Sequence, residues 1–325
     1  MSAGTVYVDY QGRERVPAMV IGGMTVIERV LREAARAGAA RAIVRGDELP
    51  ALPPLGLAVD VIPTTMTPPA EAMPIAGDVI AGVTVHDAAS RRAASRALFQ
   101  TCRRPHDGLG DRYVIRGISL PISRVLCRFR VTPNQVTWVN IVVGLVACAF
   151  AARGDRLSLA IAGVLAFLQV VLDSCDGEIA RIRHMTSRFG MLLDNLSDDV
   201  IDNLFVAMLG VGIGGIWAPL AIAAACARGA SAMMIHVDVA RRGKPGDVLA
   251  FRWFFDKTDE DLGDRFETGT SLFGIIRAFG RRDLYVLVWA VTCVVGAPQI
   301  GLVLGIALSA AYFGLAIVHV IVVRR

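Results

Sequence analysis

Asp173 and Asp176 stand three residues apart, and Asp194 and Asp198 stand four apart, within DSCDGEIARIRHMTSRFGMLLDNLSD (173–198). On helices each pair shares one face. If the two helices face each other, four carboxylates converge. At a low-dielectric boundary such a group needs protons or cations to relieve it. Hard divalent cations such as Mg²⁺ or Mn²⁺ take oxygen ligands, so a two-metal site is the natural solution. Gly177 and Ala180 keep the neighbouring surface small, which lets a ligand approach the helix closely. The plain alternative is a set of solvated aspartates at helix ends.

The elements that carry these residues are apolar. The 325 residues are 54% hydrophobic and 19% charged, with mean hydropathy +0.53. Residues 1–130 have mixed charge, whereas from about 136 onward apolar runs alternate with polar breaks. This pattern predicts a small α/β soluble domain followed by an all-α polytopic membrane domain of about six helices. The boundaries expected are 1–105 for the soluble domain, 106–130 for a linker and interfacial helix, and 131–325 for the membrane domain. The spans are expected near 135–152, 157–179, 191–213, 217–239, 283–298 and 300–322, with Trp138 and Trp217 at ends as interfacial aromatics.

Charge orients the spans. Arg181, Arg183, His184 and Arg188 fill the second-to-third link, the link 240–282 is long and charged, and Arg324 and Arg325 end the chain. GIGGI (212–216) and GAPQI (296–300) carry no charge. The positive-inside rule then places both termini and the carboxylates on the cytoplasmic side of a cytoplasmic membrane. Arg153 and Arg156 are the exception this topology must tolerate. Asp173 falls about 24 Å into its span, near the inner edge of the bilayer core.

The net charge of +5 is almost all arginine. It suits topology and anionic membrane lipids as partners. No aromatic-interleaved basic stripe is present, so nucleic acid is not expected. The six cysteines show no metal or redox spacing and read as structural thiols. The opening MSAGTVYVDYQGRERVP has no signal-peptide pattern, which gives the expectation of a cytoplasmic soluble domain. Within it, 6–9, 41–45 and 57–62 read as strands, 24–39 and 86–103 as helices, and the proline-rich 63–74 as a loop. Residues 117–130 read as a helix at the membrane surface, with Arg124, Arg128 and Arg130 toward lipid phosphates.

The longer string, Asp173–x2–Asp176–Gly177–x2–Ala180–Arg181–x8–Gly190–x3–Asp194–x3–Asp198, resembles the signature of the CDP-alcohol phosphotransferase (phosphatidyltransferase) family at all eight fixed positions. The resemblance covers about 107–325, including TPNQVT (132–137). It implies six membrane helices around a two-metal site, a CDP-alcohol donor, attack of an acceptor hydroxyl on the β-phosphate, and release of CMP. It further implies that Asp173, Asp176, Asp194 and Asp198 hold the metals, with Asp198 also the candidate general base. Asp176, Gly177, Ala180 and Arg181 would line the CDP site, and Asn134 and Thr137 could touch the nucleotide. Helix capping is the bland role for Asn134. A homodimer is expected from the family.

Arg228 lies midway along the fourth expected span. An arginine at that depth faces the bundle interior and pairs with an anion. Either a salt bridge to an acid such as Asp202 or an acceptor-phosphate site fits, with Arg116, Arg183 and Arg188 as lesser candidates for the phosphate. Asp202 itself reads as a second-layer support or a structural residue.

The fusion resembles bifunctional inositol-phosphate cytidylyltransferase/di-myo-inositol-phosphate-phosphate synthases, through 20–47 and the join at 103–119. No Gly-rich triphosphate loop precedes residue 20, so the soluble domain is expected to be a shortened remnant without cytidylyltransferase activity. Donor and acceptor stay open between CDP-diacylglycerol and a CDP-polyol such as CDP-inositol, and between a lipid and a polar or phosphorylated polyol; the fused domain tilts toward a polar donor. A membrane cation carrier and an inactive scaffold are the alternatives from other functional classes.

Overall fold

Two glycines set the entry to the first helix in the computed structural model, which describes residues 4–104, 107–129, 131–254 and 280–323. Strand β1 spans Thr5–Asp9; β2 (Val20–Ile21) and β3 (Met24–Thr25) then pair antiparallel. Gly22 and Gly23 turn the chain between them at φ 60° and 80°, a conformation that suits a two-residue hairpin turn. The helix expected from residue 24 therefore begins two residues later, as α1 (Val26–Arg36), with the Thr25 side chain capping Glu28 N. Val26, Val30, Leu31 and Ala34 face the core, as their spacing predicts, and Arg29 is buried beside them.

Strands β4 (Arg41–Arg45), β5 (Ala58–Ile62) and β6 (Met73–Ile75) complete a four-stranded parallel sheet in the order β5-β4-β1-β6. The expected strands at 6–9, 41–45 and 57–62 are all present. The expected loop 63–74 is not all loop, because Met73 and Pro74 join β1 as an edge strand. Only an edge tolerates proline, which has no N–H to donate to a further neighbour. A small hairpin, β7 (Val79–Ile80) with β8 (Val83–Thr84), leads to α2 (Ala88–Gln100), which starts on an Asp87–Ser90 capping box.

The chain divides into two compact units that do not follow chain order. The first takes Met1–Arg103, Arg124–Arg130 and Glu178–His184; the second takes Arg104–Ser123, Val131–Gly177 and Met185–Arg325. In the first unit, Arg29 Nη1 donates to Ile182 O at 2.8 Å and Nη2 to Ile21 O at 3.1 Å. Strand order reverses between β1 and β6, where open α/β sheets bind ligands past the strand ends. Here Tyr10 fills that crevice, 1% exposed, with its hydroxyl on Gly77 O at 2.8 Å. Arg13 and Asp78 pair across it at 2.5 Å.

After a π-turn at Asp111–Ile115, α3 spans Arg116–Leu126. Of the arginines expected at a membrane surface, Arg128 is exposed. Arg116 is buried on Asp107 at 3.1 Å, and Arg124 lies over the Phe99 ring, 5.3 Å from its centroid. Arg130 lies outside the described residues.

Six helices follow: α4 (Pro133–Ala151), α5 (Arg156–Ile182), α6 (Arg188–Ile213), α7 (Trp217–Arg241), α8 (Arg282–Val295) and α9 (Pro298–Val323). They sit where the six spans are expected, except that 255–279 of the long link lies outside the described residues. Four of them, α4, α5, α7 and α9, are long and apolar enough to cross a membrane, and we read the chain as an integral membrane protein. The 14 residues of α8 reach only about 21 Å against a core of about 30 Å. Helix α6 has the length but carries Arg188 and four aspartates.

Start signals are local. Thr132 and Gln135 form a capping box with Pro133 at the first turn of α4, and Ser187 caps α6 through Gly190 N. Packing then follows small residues. Helix α6 packs on α4 and α7, and α9 on α7, α6 and α8. At Gly144 an added Cβ would lie 2.7 Å from Ile201 Cγ2, so α4 and α6 approach as closely as they do only because a glycine is there. The core beside α8 is aromatic, with Phe205 stacked on Trp289 at 5.6 Å.

Candidate active site

The last turns of α5 and the first turns of α6 bring the aspartates together. One carboxylate oxygen each from Asp173, Asp176 and Asp194 lies within 4.8 Å of the other two. Asp176 is buried, and Asp173 and Asp194 are partly so. Oδ1 of Asp173 and Oδ1 of Asp194 are buried and have no hydrogen-bond partner among the described residues. Buried carboxylate oxygens are costly unless something positive meets them. Three such oxygens with no nitrogen or sulfur ligand suit a hard divalent cation. The residues present therefore fit a metal ion.

Thr137 fixes one of these ligands. Its Oγ1 donates to Asp176 Oδ2 at 2.7 Å from the second turn of α4. Among the described residues the Thr137 hydroxyl therefore meets a carboxylate of the cluster. Asn134, one turn earlier, reaches α6 at Gly190, where an added Cβ would lie 3.0 Å from Asn134 Oδ1.

Asp198 stands apart from the three-oxygen group and meets Arg282 instead. Arg282, the first residue of α8, places Nη1 2.7 Å from Asp198 Oδ2 and 2.9 Å from Asp173 Oδ2. Its Nε donates to Asp202 Oδ2 at 3.1 Å and its Nη2 to Gln169 Oε1 at 2.9 Å. Gln169 also reaches Asp198 Oδ1, at 3.4 Å. Both Asp198 oxygens are therefore engaged.

Asp202 supports the site from behind, accepting from Tyr285 Oη at 2.6 Å as well as from Arg282. Arg228 makes no direct salt bridge to Asp202 among the described residues. Arg228 Nη2 donates to Tyr285 Oη at 2.7 Å, and its guanidinium lies over the Tyr285 and Tyr312 rings, 4.8 Å and 5.4 Å from their centroids. It reaches Asp202 through the tyrosine rather than directly, and its Nη1 has no hydrogen-bond partner among the described residues.

The start of α8 is held in turn. Asp283 is 7% exposed and its Oδ2 accepts from Asp111 N at 3.1 Å. Gly108 and Gly110 leave the room for this, since a Cβ at either would strike Asp283.

The other expected site residues divide. Gly177 continues α5 one residue past Asp176, while Ala180, Arg181 and Arg183 belong to the first compact unit. Arg188 opens α6 and is exposed. Glu178, outside the spaced pattern, is buried and takes no part in the three-oxygen group. Asp199 pairs with His236 at 2.9 Å, and His319 packs against Phe251 at 5.0 Å.

Gln169, Arg282 and Tyr285 are absent from the sequence expectations. One signal for Arg282 does exist: a cation at a helix end, in a chain whose paired aspartates demand counter-charge.

Comparison with known proteins agrees with the geometry. Residues 130–296, just over half of the chain, match the family model described as CDP-alcohol phosphatidyltransferase. The chain is similar to the Bifunctional IPC transferase and DIPP synthase of Thermococcus kodakarensis, 36% identical over 119 residues, which are 36% of this chain and 26% of that protein. The protein of the same description from Archaeoglobus fulgidus is 37% identical over 119 residues, 36% of this chain and 23% of that one. The Phosphatidylinositol phosphate synthase of Corynebacterium glutamicum is 33% identical over 121 residues, 36% of this chain and 53% of that protein. The match thus spans about a quarter of the length of the two bifunctional relatives. Spaced aspartates on α5 and α6, a three-oxygen cluster built from them and a family match across both helices converge: the chain belongs to the CDP-alcohol phosphatidyltransferase family, which joins CDP-alcohol donors to alcohol acceptors.

Proposed function

We propose that the protein is a divalent-metal-dependent CDP-alcohol phosphotransferase. An acceptor hydroxyl forms a bond to the β-phosphorus of the CDP-alcohol, the bond from that phosphorus to the bridging oxygen breaks, and CMP leaves with the electron pair. The observation that carries this reading is the Asp173–Asp176–Asp194 cluster with two unpartnered buried oxygens. Mg²⁺ or Mn²⁺ held there supplies charge neutralisation for the diphosphate and the leaving CMP.

The chain's own residues do the rest. Thr137 orients Asp176. Asp198 accepts the proton of the acceptor hydroxyl once an oxygen is free of Arg282 and Gln169. Gly177, Ala180, Arg181 and Asn134 are assigned to the CDP group in this reading from the signature and the stretch that opens α4. Arg228, with an unpartnered Nη1 and a tyrosine holding its other arm, offers an acceptor's phosphate a guanidinium; Arg183 and Arg188 are weaker candidates for this role.

A lipid donor, CDP-diacylglycerol, is the reading we favour. An apolar groove of about 270 Å³ runs between α5 and α8, lined by Val114, Phe167, Leu287, Val291, Val294 and Val295. Those two helices also supply Asp173 and Arg282. A groove with only apolar walls suits an acyl chain. The similarity to the Corynebacterium glutamicum synthase supports a phosphorylated inositol as acceptor. The similarity to the bifunctional IPC transferase and DIPP synthases favours the second reading, a CDP-polyol donor.

The six helices α4 to α9 belong to the membrane domain in this reading, with α8 reaching the inner leaflet edge and both termini cytoplasmic. The homodimer expected from the family stands as part of the proposal. The N-terminal unit has no cytidylyltransferase activity in this reading, which the Tyr10-filled crevice supports. The test is CMP release by the purified full chain, with CDP-diacylglycerol and CDP-inositol as donors and inositol phosphate as acceptor, with and without Mg²⁺ or Mn²⁺. Metal-independent release, or none with any donor, would sink the proposal.

A further inference from the structure

Arg282 stands where a cation is needed. Nη1 lies between Asp173 Oδ2 at 2.9 Å and Asp198 Oδ2 at 2.7 Å. Nε and Nη2 are held on the other side by Asp202 and Gln169. A single guanidinium thus meets three carboxylates, two of which belong to the expected four-aspartate cage. The other end of the cage, at Asp173, Asp176 and Asp194, keeps its oxygens within 4.8 Å of one another and leaves Oδ1 of Asp173 and of Asp194 unpartnered.

Asp173 is shared between the two ends, with Oδ2 on Arg282 and Oδ1 unpartnered among the described residues. A small divalent ion needs oxygens at about 2.0–2.1 Å. No such ion fits between Asp173 and Asp198 while Nη1 fills that gap. A guanidinium in place also repels an incoming cation and withholds Asp198 as its ligand. At the other end no nitrogen fills the space between the oxygens, and of the three carboxylates the guanidinium touches Asp173 alone.

We propose that Arg282 is a built-in counter-cation that makes the cage load in order. One divalent ion binds at Asp173, Asp176 and Asp194 with Arg282 in place. A second binds at the Asp198 end only as the guanidinium turns out. Asp202, oriented by Tyr285 at 2.6 Å, and Gln169 give Arg282 partners outside the cage, so leaving Asp198 does not strand the charge. The same turn releases an oxygen of Asp198, the step its role as base requires. This inference rests on the metal reading above.

Mn²⁺ binding to the purified full chain in detergent tests it, counted by equilibrium dialysis and followed by the coupling between paired Mn²⁺ ions in electron paramagnetic resonance. The wild type is expected to bind one ion tightly and a second on the order of tenfold more weakly. In Arg282→Gln the second site is expected to tighten by at least about that factor, with paired-ion coupling appearing at lower Mn²⁺. Superimposable curves for the two proteins, or a lost second ion in the variant, would overturn the proposal while leaving the metal site standing. Binding by neither protein would remove the metal reading and the proposal together. Should Arg282→Gln fail to fold, a structure of the wild type at saturating Mn²⁺ decides. A guanidinium gone from Asp198 supports the ordering, and one still seated there beside two ions refutes it.

Discussion

Thr137 Oγ1 donates to Asp176 Oδ2 at 2.7 Å, tying α4 to the carboxylate-bearing end of α5. The hydroxyl fixes which Asp176 oxygen remains for a metal, and outer hydrogen bonds of this kind are worth about 10–100-fold in metal affinity. Thr137→Val keeps the shape and removes the donor. We expect Mn²⁺ affinity to fall within that range, with Thr137→Ser restoring most of it. Equal Mn²⁺ titrations for Thr137→Val and wild type would show that the bond only packs α4.

The aspartates should separate by role. Asp194→Asn removes one of three clustered oxygens, so the tight Mn²⁺ site is expected to be lost along with CMP release. Asp198→Asn leaves that cluster whole. It should keep the tight ion and yet lower turnover by about 10²–10⁴-fold, the usual contribution of a general base. Dialysis and single-turnover CMP release measured on the same preparations check the split. Loss of the tight ion in Asp198→Asn would move that residue into the cluster.

In the first compact unit Arg29 is 1% exposed and closes the carbonyls of Ile182 and Ile21. Ile182 ends α5, where a cation also meets the negative end of the helix. Arg29→Met preserves much of the volume and leaves two carbonyls unanswered. We expect a loss on the order of 2 kcal/mol, read as a lower unfolding midpoint of the purified chain. An unshifted midpoint would assign the carbonyls other partners.

His184 sits just past α5 at φ 52°, a left-handed value that histidine adopts more readily than most residues. Burial, then the charges of Arg36, Arg29 and Arg32, push its pKa down to about 4 from an ordinary 6.5. The folded chain therefore holds fewer protons than the unfolded one between those two values. Stability from this group is fully present above about pH 6.5 and is lost as pH falls toward 4. The ring resonances of labelled His184 should stay neutral at pH 5.5, and His184→Asn should flatten the acid limb of the stability curve. A midpoint near 6.5 would contradict the buried, cation-flanked setting.

Residues whose partners lie nearby in the chain were legible without coordinates. The two aspartate pairs follow from spacing along single helices, and β4 follows from RAIVR as a short apolar strand. The misses have long-range or local causes of another kind. Pro74 disguised β6, because its place at the sheet edge is a tertiary fact. Arg282 meets Asp198 across 84 residues of chain and reads, in sequence, as the tail of a charged link. Thr137 reaches Asp176 across 39, so its partner could not be found by counting turns. The helix expected at 283–298 is present as α8, which Gly296 at φ 87° ends at the start of the uncharged GAPQI stretch.

The groove between α5 and α8 separates the two donor classes. Leu287 lines it five residues along α8 from Arg282, so the head of a donor at the carboxylates could lay a chain past this side chain. Leu287→Trp would add bulk where that chain rests. Each methylene kept from burial costs about 0.8 kcal/mol, so excluding two should raise KM for CDP-diacylglycerol by about tenfold or more. CDP-inositol has no chain to seat, so its KM should rise far less. The ratio of the two KM values reports the groove, while Mn²⁺ affinity measured alongside reports whether the aspartates have moved. A parallel rise for both donors with Mn²⁺ binding intact would place the lipid chain elsewhere and return the polyol donor to first place.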